Sequence, residues 1–392
     1  MKKEYDVIIV GGGPSGSMAA IEIAKENLSV CVLEKKTKVG IPVRCGEAIG
    51  FSGLNKFFEP DDSWIASTIN SINLVSPNSI DTKIVFKNET GYILHRKKFD
   101  SGLSNIAVEN GAEVFNKANV VDVIIENGYI AGVKVVYKEK EYIIKSKIVI
   151  GADGIDSRIG RWSGIRTNVK MKDMESCVQY SVNNIDVQNN EMCMYMGKEY
   201  APGGYLWVFP KGHKAANIGI GISGKYSGEK SAKKYLDEFI NTKYPNATIE
   251  SKVCGGVICA APIKEPIKNG LMLVGDAAHQ TNPMTGGGIS SGMKAGAIAG
   301  KIAAEGIKKN KFDKDFLSKY SKLMFKEFGN RYTKLYRIKE TINKLTDSDL
   351  NEIAEKVSKV PIKERSLATV FKMAVYKRPS LVFDVLKIYS GF

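Results

Sequence analysis

Apolar and polar positions along the chain fall into three kinds of pattern. The first is the short apolar run that enters a glycine-rich loop. In "YDVIIVGGGPSGSMAAIEIAKENLSVCVLEKK" the run Val7 to Val10 reads as a buried parallel strand, followed by a loop, a helix and a second strand ending at Glu34. Two later stretches repeat the form. "KIVIGADGIDSRIGRW" runs from Ile148 to Ile150 into Gly151, Asp153 and Gly154. "GLMLVGDAAHQTNPMTGGGISSGMKAGAIAG" runs into Gly275-Asp276, a loop and a helix of small residues.

The second pattern is alternation. "ESCVQYSVNNI", "ANIGIGI" and "PGGYLWVFPKG" alternate as half-buried antiparallel strands do. The last places Tyr205, Trp207 and Phe209 on one face between Pro202 and Pro210. The third pattern, from about residue 311, is helical. Phe312, Phe316, Tyr320, Leu323, Met324, Phe328, Tyr332, Leu335 and Tyr336 recur at helical spacing, with lysines and arginines on the other faces.

These patterns predict an α/β protein of two lobes. A Rossmann-like dinucleotide-binding domain is expected over 1–72, 91–165 and 257–310. It is discontinuous because the Gly275-Asp276 stretch returns the chain to it. An antiparallel β-sheet substrate domain is expected over 73–90 and 166–256, and a helical C-terminal region over 311–392. A chain of 392 residues suits such a division.

No stretch approaches the roughly 18–20 consecutive apolar residues of a membrane-spanning helix. The chain enters a strand pattern at "EYDVIIVGGG" with no signal-like segment, so a cytoplasmic protein is expected. Six cysteines (31, 45, 177, 193, 254 and 259) lack the spacing of a zinc or iron–sulfur framework, so no metal is expected. The formal net charge is +15, most of it after residue 300. That excess fits an anionic membrane surface, an acidic partner or a solvated helical face. No motif supports nucleic-acid binding.

The first loop carries the clearest chemistry. Gly11, Gly13 and Gly16 form G-x-G-x-x-G after a strand and before a helix. The first permits the tight turn, the second a close approach to a pyrophosphate, and the third close packing of helix on strand. Glu34 ends the second strand, where a carboxylate accepts hydrogen bonds from ribose hydroxyls and disfavours a 2′-phosphate. The loop alone leaves NAD and FAD open. Asp153 reads either as a cofactor residue or as part of an ordinary Asp-Gly turn.

Together the three loop stretches resemble the FAD-binding signatures of the flavin monooxygenase-like superfamily, with a para-hydroxybenzoate hydroxylase-like fold. The resemblance implies Asp276 at the ribityl or pyrophosphate region. It implies Gly288 and Ile289 at the start of a helix aimed at the pyrimidine side of the flavin. A helix N-terminus there stabilises negative charge on the reduced ring.

Two further segments are more specific. "VGIPVRCGEAIG" contains Arg44-Cys45-Gly46-Glu47. "PGGYLWVFPK" meets P-x-x-Y-x-W-x-F-P with Pro202, Tyr205, Trp207, Phe209 and Pro210. Both resemble the geranylgeranyl reductase family, and within it the digeranylgeranylglycerophospholipid reductases of archaeal lipid synthesis. The tail "YKRPSLVFDVLK" is in the same style, and the resemblance covers essentially the whole chain. It implies reduction of carbon–carbon double bonds of a polyprenyl lipid by reduced FAD. The implied flavin contacts are Ser15, Glu34, Cys45, Gly46, Arg96, Val120, Asp276, Gly288 and Ile289. Only the resemblance singles out Arg96 over Lys97 or Lys98.

An unactivated alkene takes a hydride only if a proton reaches the other carbon, and a dry apolar channel protects the reduced flavin. Tyr205, Trp207 and Phe209 suit the channel wall. Cys45 is the first proton-donor candidate and Tyr205 the second. Packing is the plainer alternative for the thiol, and a hydroxyl satisfied at a strand edge for the phenol. His213 and His279 are weaker candidates.

The implied partners are a polyprenyl lipid, a membrane surface met peripherally, and an external electron donor: ferredoxin, a deazaflavin or NAD(P)H. No second dinucleotide loop with its own strand and helix is visible. The rival on the same fold is an aromatic hydroxylase, and a more distant one is a non-catalytic membrane-surface flavoprotein.

Overall fold

A computed structural model describes residues 1–87 and 90–377. All but the first two residues of "YKRPSLVFDVLK" lie outside the described residues. The chain divides into two compact units. One comprises Met1–Val43, Arg96–Asn168 and Ala260–Thr333; the other comprises Arg44–His95, Val169–Cys259 and the chain from Lys334 onward.

The first unit is built on an eight-stranded sheet. Its parallel centre runs Leu271–Leu273, Lys140–Gly151, Glu4–Val10, Val30–Glu34 and Glu113–Asn116. Val7, Ile8, Ile9, Ile148, Val149 and Ile150 are fully buried. That explains why these strands read as continuous apolar runs rather than alternations. The helix Pro14–Ala24 packs on the helix Ile289–Lys309. Close approach is set by small residues: a Cβ at Gly296 would stand 2.1 Å from the Ser15 carbonyl oxygen.

The second unit holds a seven-stranded sheet in the order Thr248–Ile258, Met174–Asn183, Ala215–Ser223, Tyr205–Pro210, Glu191–Met196, Ser71–Val75, Asp81–Val85. One pairing is parallel, Glu191–Met196 with Ser71–Val75; the others are antiparallel. Ala216, Ile218, Ile220 and Ile222 point to one face, where Leu236 and Ile240 of the helix Ala232–Lys243 cover them. A three-stranded sheet (Ala48–Gly50, Gly91–Leu94, Ile65–Ile69) completes the unit.

The unit boundaries differ from the expected ones. Residues 44–72 were expected with the dinucleotide-binding domain. They belong to the second unit because their strands pair with Gly91–Leu94 and with Glu191–Met196. The C-terminal helices are also not a region apart. The helix Lys314–Met324 belongs to the first unit, and Asp347–Ser358 and Leu367–Lys377 to the second.

The helical stripe is core for the most part. Tyr320, Met324, Phe328 and Tyr332 are buried, whereas Leu323 is exposed. Several of the surrounding lysines are neutralised locally: Lys314 pairs with Glu265 and Lys319 with Glu305.

Candidate active site

In the first unit the loop Gly11–Gly13 turns between strand and helix. Gly11 has φ +105°, and a Cβ there would stand 2.2 Å from the Ala152 carbonyl oxygen. A Cβ at Gly16 would stand 2.0 Å from the Gly11 carbonyl oxygen. Both glycines are therefore required by the chain's own packing. Gly13 is different: a Cβ there meets no protein atom within 4 Å. Its bareness leaves room for something other than protein. Gly13 also caps a helix that has no side-chain cap and Pro14 in its first turn, leaving N–H groups directed outward.

Glu34 sits behind this loop, buried. Its Oε2 accepts from the Gly12 N–H at 2.9 Å and its Oε1 from the Lys36 N–H at 2.8 Å. Those bonds fix the carboxylate while leaving lone pairs for a diol. Asp153 Oδ2 accepts from the Ile159 N–H at 3.1 Å, and its Oδ1 is buried with no hydrogen-bond partner. Burial pushes the Asp153 carboxyl up. An orphaned buried carboxylate oxygen near the loop is the mark of a missing polar partner.

The structure brings Ser15, Asp276 and Gly288 near the Gly275 turn. A Cβ at Gly275 would stand 2.3 Å from Ser15 Oγ, and one at Gly288 would stand 3.1 Å from Asp276 Oδ1. Asp276 Oδ1 accepts from Thr281 Oγ1 at 3.0 Å. Burial pushes its carboxyl up, against that bond and the positive charge of Arg96. Gly288 caps the helix that Ile289 begins, again with no side-chain cap.

Arg96 opens the helix Arg96–Glu109 and binds Asp100 through both Nε (2.8 Å) and NH2 (2.9 Å), which fixes its guanidinium. The Val120 side chain lies in the core, in a strand that pairs it with Val135. His279 is a structural residue: it adopts φ +56° at a turn, and its Nε2 meets the Thr167 carbonyl oxygen at 2.9 Å. The uncapped helix ends, the bare Gly13 and the unpaired Asp153 oxygen fit a dinucleotide with a pyrophosphate and hydroxyl-bearing chains.

In the second unit the structure brings the Cys45 segment onto the aromatic strand. A Cβ at Gly46 would stand 3.0 Å from the Phe209 ring and 3.5 Å from Trp207 Nε1, so a side chain there would press on the Phe209 ring. Trp207 and Phe209 are 8% and 6% exposed and pack with Ile69 and Ile93. They form a rigid wall with one small core behind it. Tyr205, at the end of this row, is half-buried. Burial raises its hydroxyl well above the usual phenol range, so it stays protonated. Cys45 Sγ accepts from the Glu47 N–H at 3.2 Å.

Sequence reasoning missed three residues of this face. Gln179 donates to the Cys45 carbonyl oxygen at 2.9 Å and accepts from Trp207 Nε1 at 3.1 Å. Glu47, buried at φ +74°, accepts from Lys211 Nζ at 2.6 Å and from Asn217 Nδ2 at 2.5 Å. The third, Glu175, lies beside Gly221. The available signal was "ANIGIGI". Its isoleucines face the core, and its glycines leave the other face bare, so that a Cβ at Gly219 would strike the Trp207 ring at 2.3 Å.

Comparison with known proteins agrees with this geometry. A family model described as the geranylgeranyl reductase catalytic domain matches residues 173–257, and one described as an FAD-binding domain matches residues 6–66. Digeranylgeranylglycerophospholipid reductase 1 of Methanococcoides burtonii is 43% identical over 393 residues, covering 100% of this chain and 96% of the relative. The digeranylgeranylglycerophospholipid reductase of Methanocella arvoryzae is 39% identical, covering 98% of this chain and 99% of the relative.

Among solved structures, a geranylgeranyl bacteriochlorophyll reductase-like protein from Thermoplasma acidophilum matches with TM-score 0.92 at 35% identity, over 98% of this chain and 99% of that one. A flavin-dependent brominase matches with TM-score 0.71 at 19% identity, over 96% of this chain and 99% of the brominase, and shares the fold. The fold and the site define an FAD-dependent oxidoreductase. Within that class, the chain belongs to the digeranylgeranylglycerophospholipid reductase family.

Proposed function

We propose that this protein saturates carbon–carbon double bonds in the geranylgeranyl chains of archaeal-type ether lipids, the digeranylgeranylglycerophospholipids. The observation that carries the reading is the catalytic-domain match over residues 173–257. That stretch holds Gln179, Tyr205, Trp207 and Phe209, the residues gathered with Cys45 and Gly46 on one face of the sheet.

The first unit's residues suit FAD. Gly11, Gly13, Ser15 and Gly16 shape the loop and helix start that would take the pyrophosphate. Glu34 would take the ribose, and Asp153, Asp276 and Arg96 would take the pyrophosphate and the polar chain. Gly288 and Ile289 present a helix N-terminus, which suits an anionic ring. When bound and reduced, FAD supplies the hydride.

The second unit's residues would do the rest. Trp207 and Phe209 hold an apolar surface in place, favouring a prenyl chain by burial at roughly 25 cal/mol per Å2. Hydride addition at one alkene carbon leaves the other needing a proton. Cys45 and Tyr205 are the candidate donors on this face. The reductant is an external donor: ferredoxin, a deazaflavin or NAD(P)H.

Membrane contact is peripheral in this reading. Among the described residues no helix is long and apolar enough to cross a membrane. Ile362 and Leu367 stand exposed beside Lys363 and Arg365, which suits shallow contact with an anionic surface.

The test is anaerobic. Protein loaded with FAD is reduced chemically and mixed with a digeranylgeranyl ether lipid. The expected result is reoxidation of the flavin with a gain of two hydrogens per double bond in the lipid. Reoxidation that requires oxygen and hydroxylates an aromatic ring instead would place the protein with the hydroxylases.

A further inference from the structure

We propose that Glu175 is the proton reserve for Tyr205: a buried carboxyl, leaning over the bare Gly221 toward the strand of Tyr205, that restores the proton Tyr205 gives to the alkene. The proposal rests on the double-bond reduction of the preceding subsection, and it identifies a positioning residue for it.

The strands Met174–Asn183, Ala215–Ser223 and Tyr205–Pro210 are neighbours in that order. Gly221 is opposite Cys177 on one side and Tyr205 on the other, and Glu175 is opposite Ser223. Strands lie about 4.8 Å apart, so a side chain at position 221 would separate Glu175 from Tyr205. There is none. A Cβ at Gly221 would stand 2.9 Å from Glu175 Oε2 and 3.3 Å from Cys177 Sγ, so the carboxyl occupies the space above the glycine. A Cβ at Gly204, the residue before Tyr205, would stand 3.6 Å from the same oxygen. Glu175 therefore reaches across one strand to the start of the next.

Four titratable groups face this carboxyl. Cys177 lies on its own strand, Cys259 hydrogen-bonds it through the thiol, Tyr205 stands across Gly221, and Lys339 comes from the helix Asn330–Ile342. Lys339 does not pair with it. Its ammonium donates to the Cys259 carbonyl oxygen at 2.6 Å and lies 3.8 Å from Asp173 Oδ1. With no ion partner among the described residues and little solvent, Glu175 is held toward its neutral form, because burial raises its carboxyl.

The balance is as follows. A hydride, with two electrons, goes from reduced FAD to one alkene carbon. The Tyr205 O–H bond breaks, and its proton forms the C–H bond at the other carbon. The phenolate left behind takes the Glu175 proton, and the carboxylate is reprotonated from water. The alkene is reduced, the flavin is oxidised, and one solvent proton is consumed per double bond.

The test compares wild type, Glu175→Gln and Glu175→Asp, each loaded with FAD. Expected for Glu175→Gln are unchanged FAD content, unchanged KM for the lipid and a kcat lower by about 100-fold, the low end for a positioned proton donor. Wild-type kcat is expected to fall with rising pH, and that fall should be absent from Glu175→Gln and restored, in part, by Glu175→Asp. Infrared pH-difference spectra of the cofactor-free protein should show a protonated-carboxyl C=O band that Glu175→Gln lacks. An unaltered rate and pH profile in Glu175→Gln, or no such band in wild type, overturns the proposal. If Glu175→Gln does not fold, the Glu175→Asp profile and the wild-type band decide. If wild type itself reduces no prenyl lipid, it is the functional reading that fails, and the proposal falls with it.

Discussion

Trp207 and Cys45 are joined through one side chain: Gln179 accepts from the indole N–H at 3.1 Å and donates to the Cys45 carbonyl oxygen at 2.9 Å. The bond from the indole is buried and the bond to Cys45 is partly so. Gln179→Leu takes a partner from the buried indole N–H and from the Cys45 carbonyl oxygen. Each such group costs about 1–3 kcal/mol. The expected result is a loss of roughly 2–4 kcal/mol in urea-induced unfolding followed by tryptophan fluorescence. A change within about 0.5 kcal/mol would mean the bridge is not made in solution.

Gly13 and Gly16 separate cofactor binding from folding. The Cβ of Gly13→Ala enters empty space, and Gly13 has φ −68°, which alanine adopts freely. That variant should keep the wild-type melting temperature without cofactor and lose FAD on gel filtration. Gly16→Ala sets a methyl 2.0 Å from the Gly11 carbonyl oxygen and should lower the melting temperature of the cofactor-free protein. Retention of FAD by Gly13→Ala would remove that glycine from the pyrophosphate site.

Much of the first unit is legible in the sequence because its signals are local. Val7 to Val10, the three glycines and Glu34 lie within one strand–loop–helix–strand run. The second unit is harder to read. Gln179 looks like any polar residue of an alternating strand, and its role appears only when strand pairing brings Trp207 beside it. The boundary at residue 44 was missed for a similar reason. Ser71–Val75 finds its partner at Glu191–Met196, a pairing that no local pattern encodes. The glycines of "ANIGIGI" were read as alternation, and the face they leave bare is as informative as the isoleucines they alternate with.

Glu47 and Lys211 form a buried ion pair, with side chains 8% and 16% exposed, and Asn217 supplies a further donor. Lys211 also donates to the Leu94 carbonyl oxygen at 2.6 Å. This network holds a non-glycine residue at positive φ directly after the Cys45-Gly46 segment. Lys211→Met leaves the carboxylate buried without its cation and should destabilise by about 3–5 kcal/mol. Adding Glu47→Gln should recover part of that loss, measured as a double-mutant cycle by chemical denaturation. Additive losses would show that the two charges act independently.

Cys45 holds a thiol that accepts the Glu47 N–H. Cys45→Ala removes the sulfur and keeps the backbone that Gln179 binds. The expected outcome is full FAD content, little change in melting temperature, and loss of most lipid-dependent flavin reoxidation under anaerobic conditions. Full activity would return Cys45 to a packing role.

Glu175 also predicts how stability changes with pH. Burial raises its carboxyl in the folded protein above the ordinary value of about 4.3 that the unfolded chain shows. Between those two values the folded state holds a proton that the unfolded state has released. Its contribution is therefore fully present below the unfolded value and is lost as pH rises through the folded one. Glutamine mimics the neutral acid and does not titrate. The stability of Glu175→Gln relative to wild type should therefore increase as pH is raised from about 4 toward neutrality, by about 1.4 kcal/mol for each unit by which the carboxyl is raised. Urea denaturation at several pH values measures this directly. A difference independent of pH would mean that folding leaves the Glu175 carboxyl unshifted.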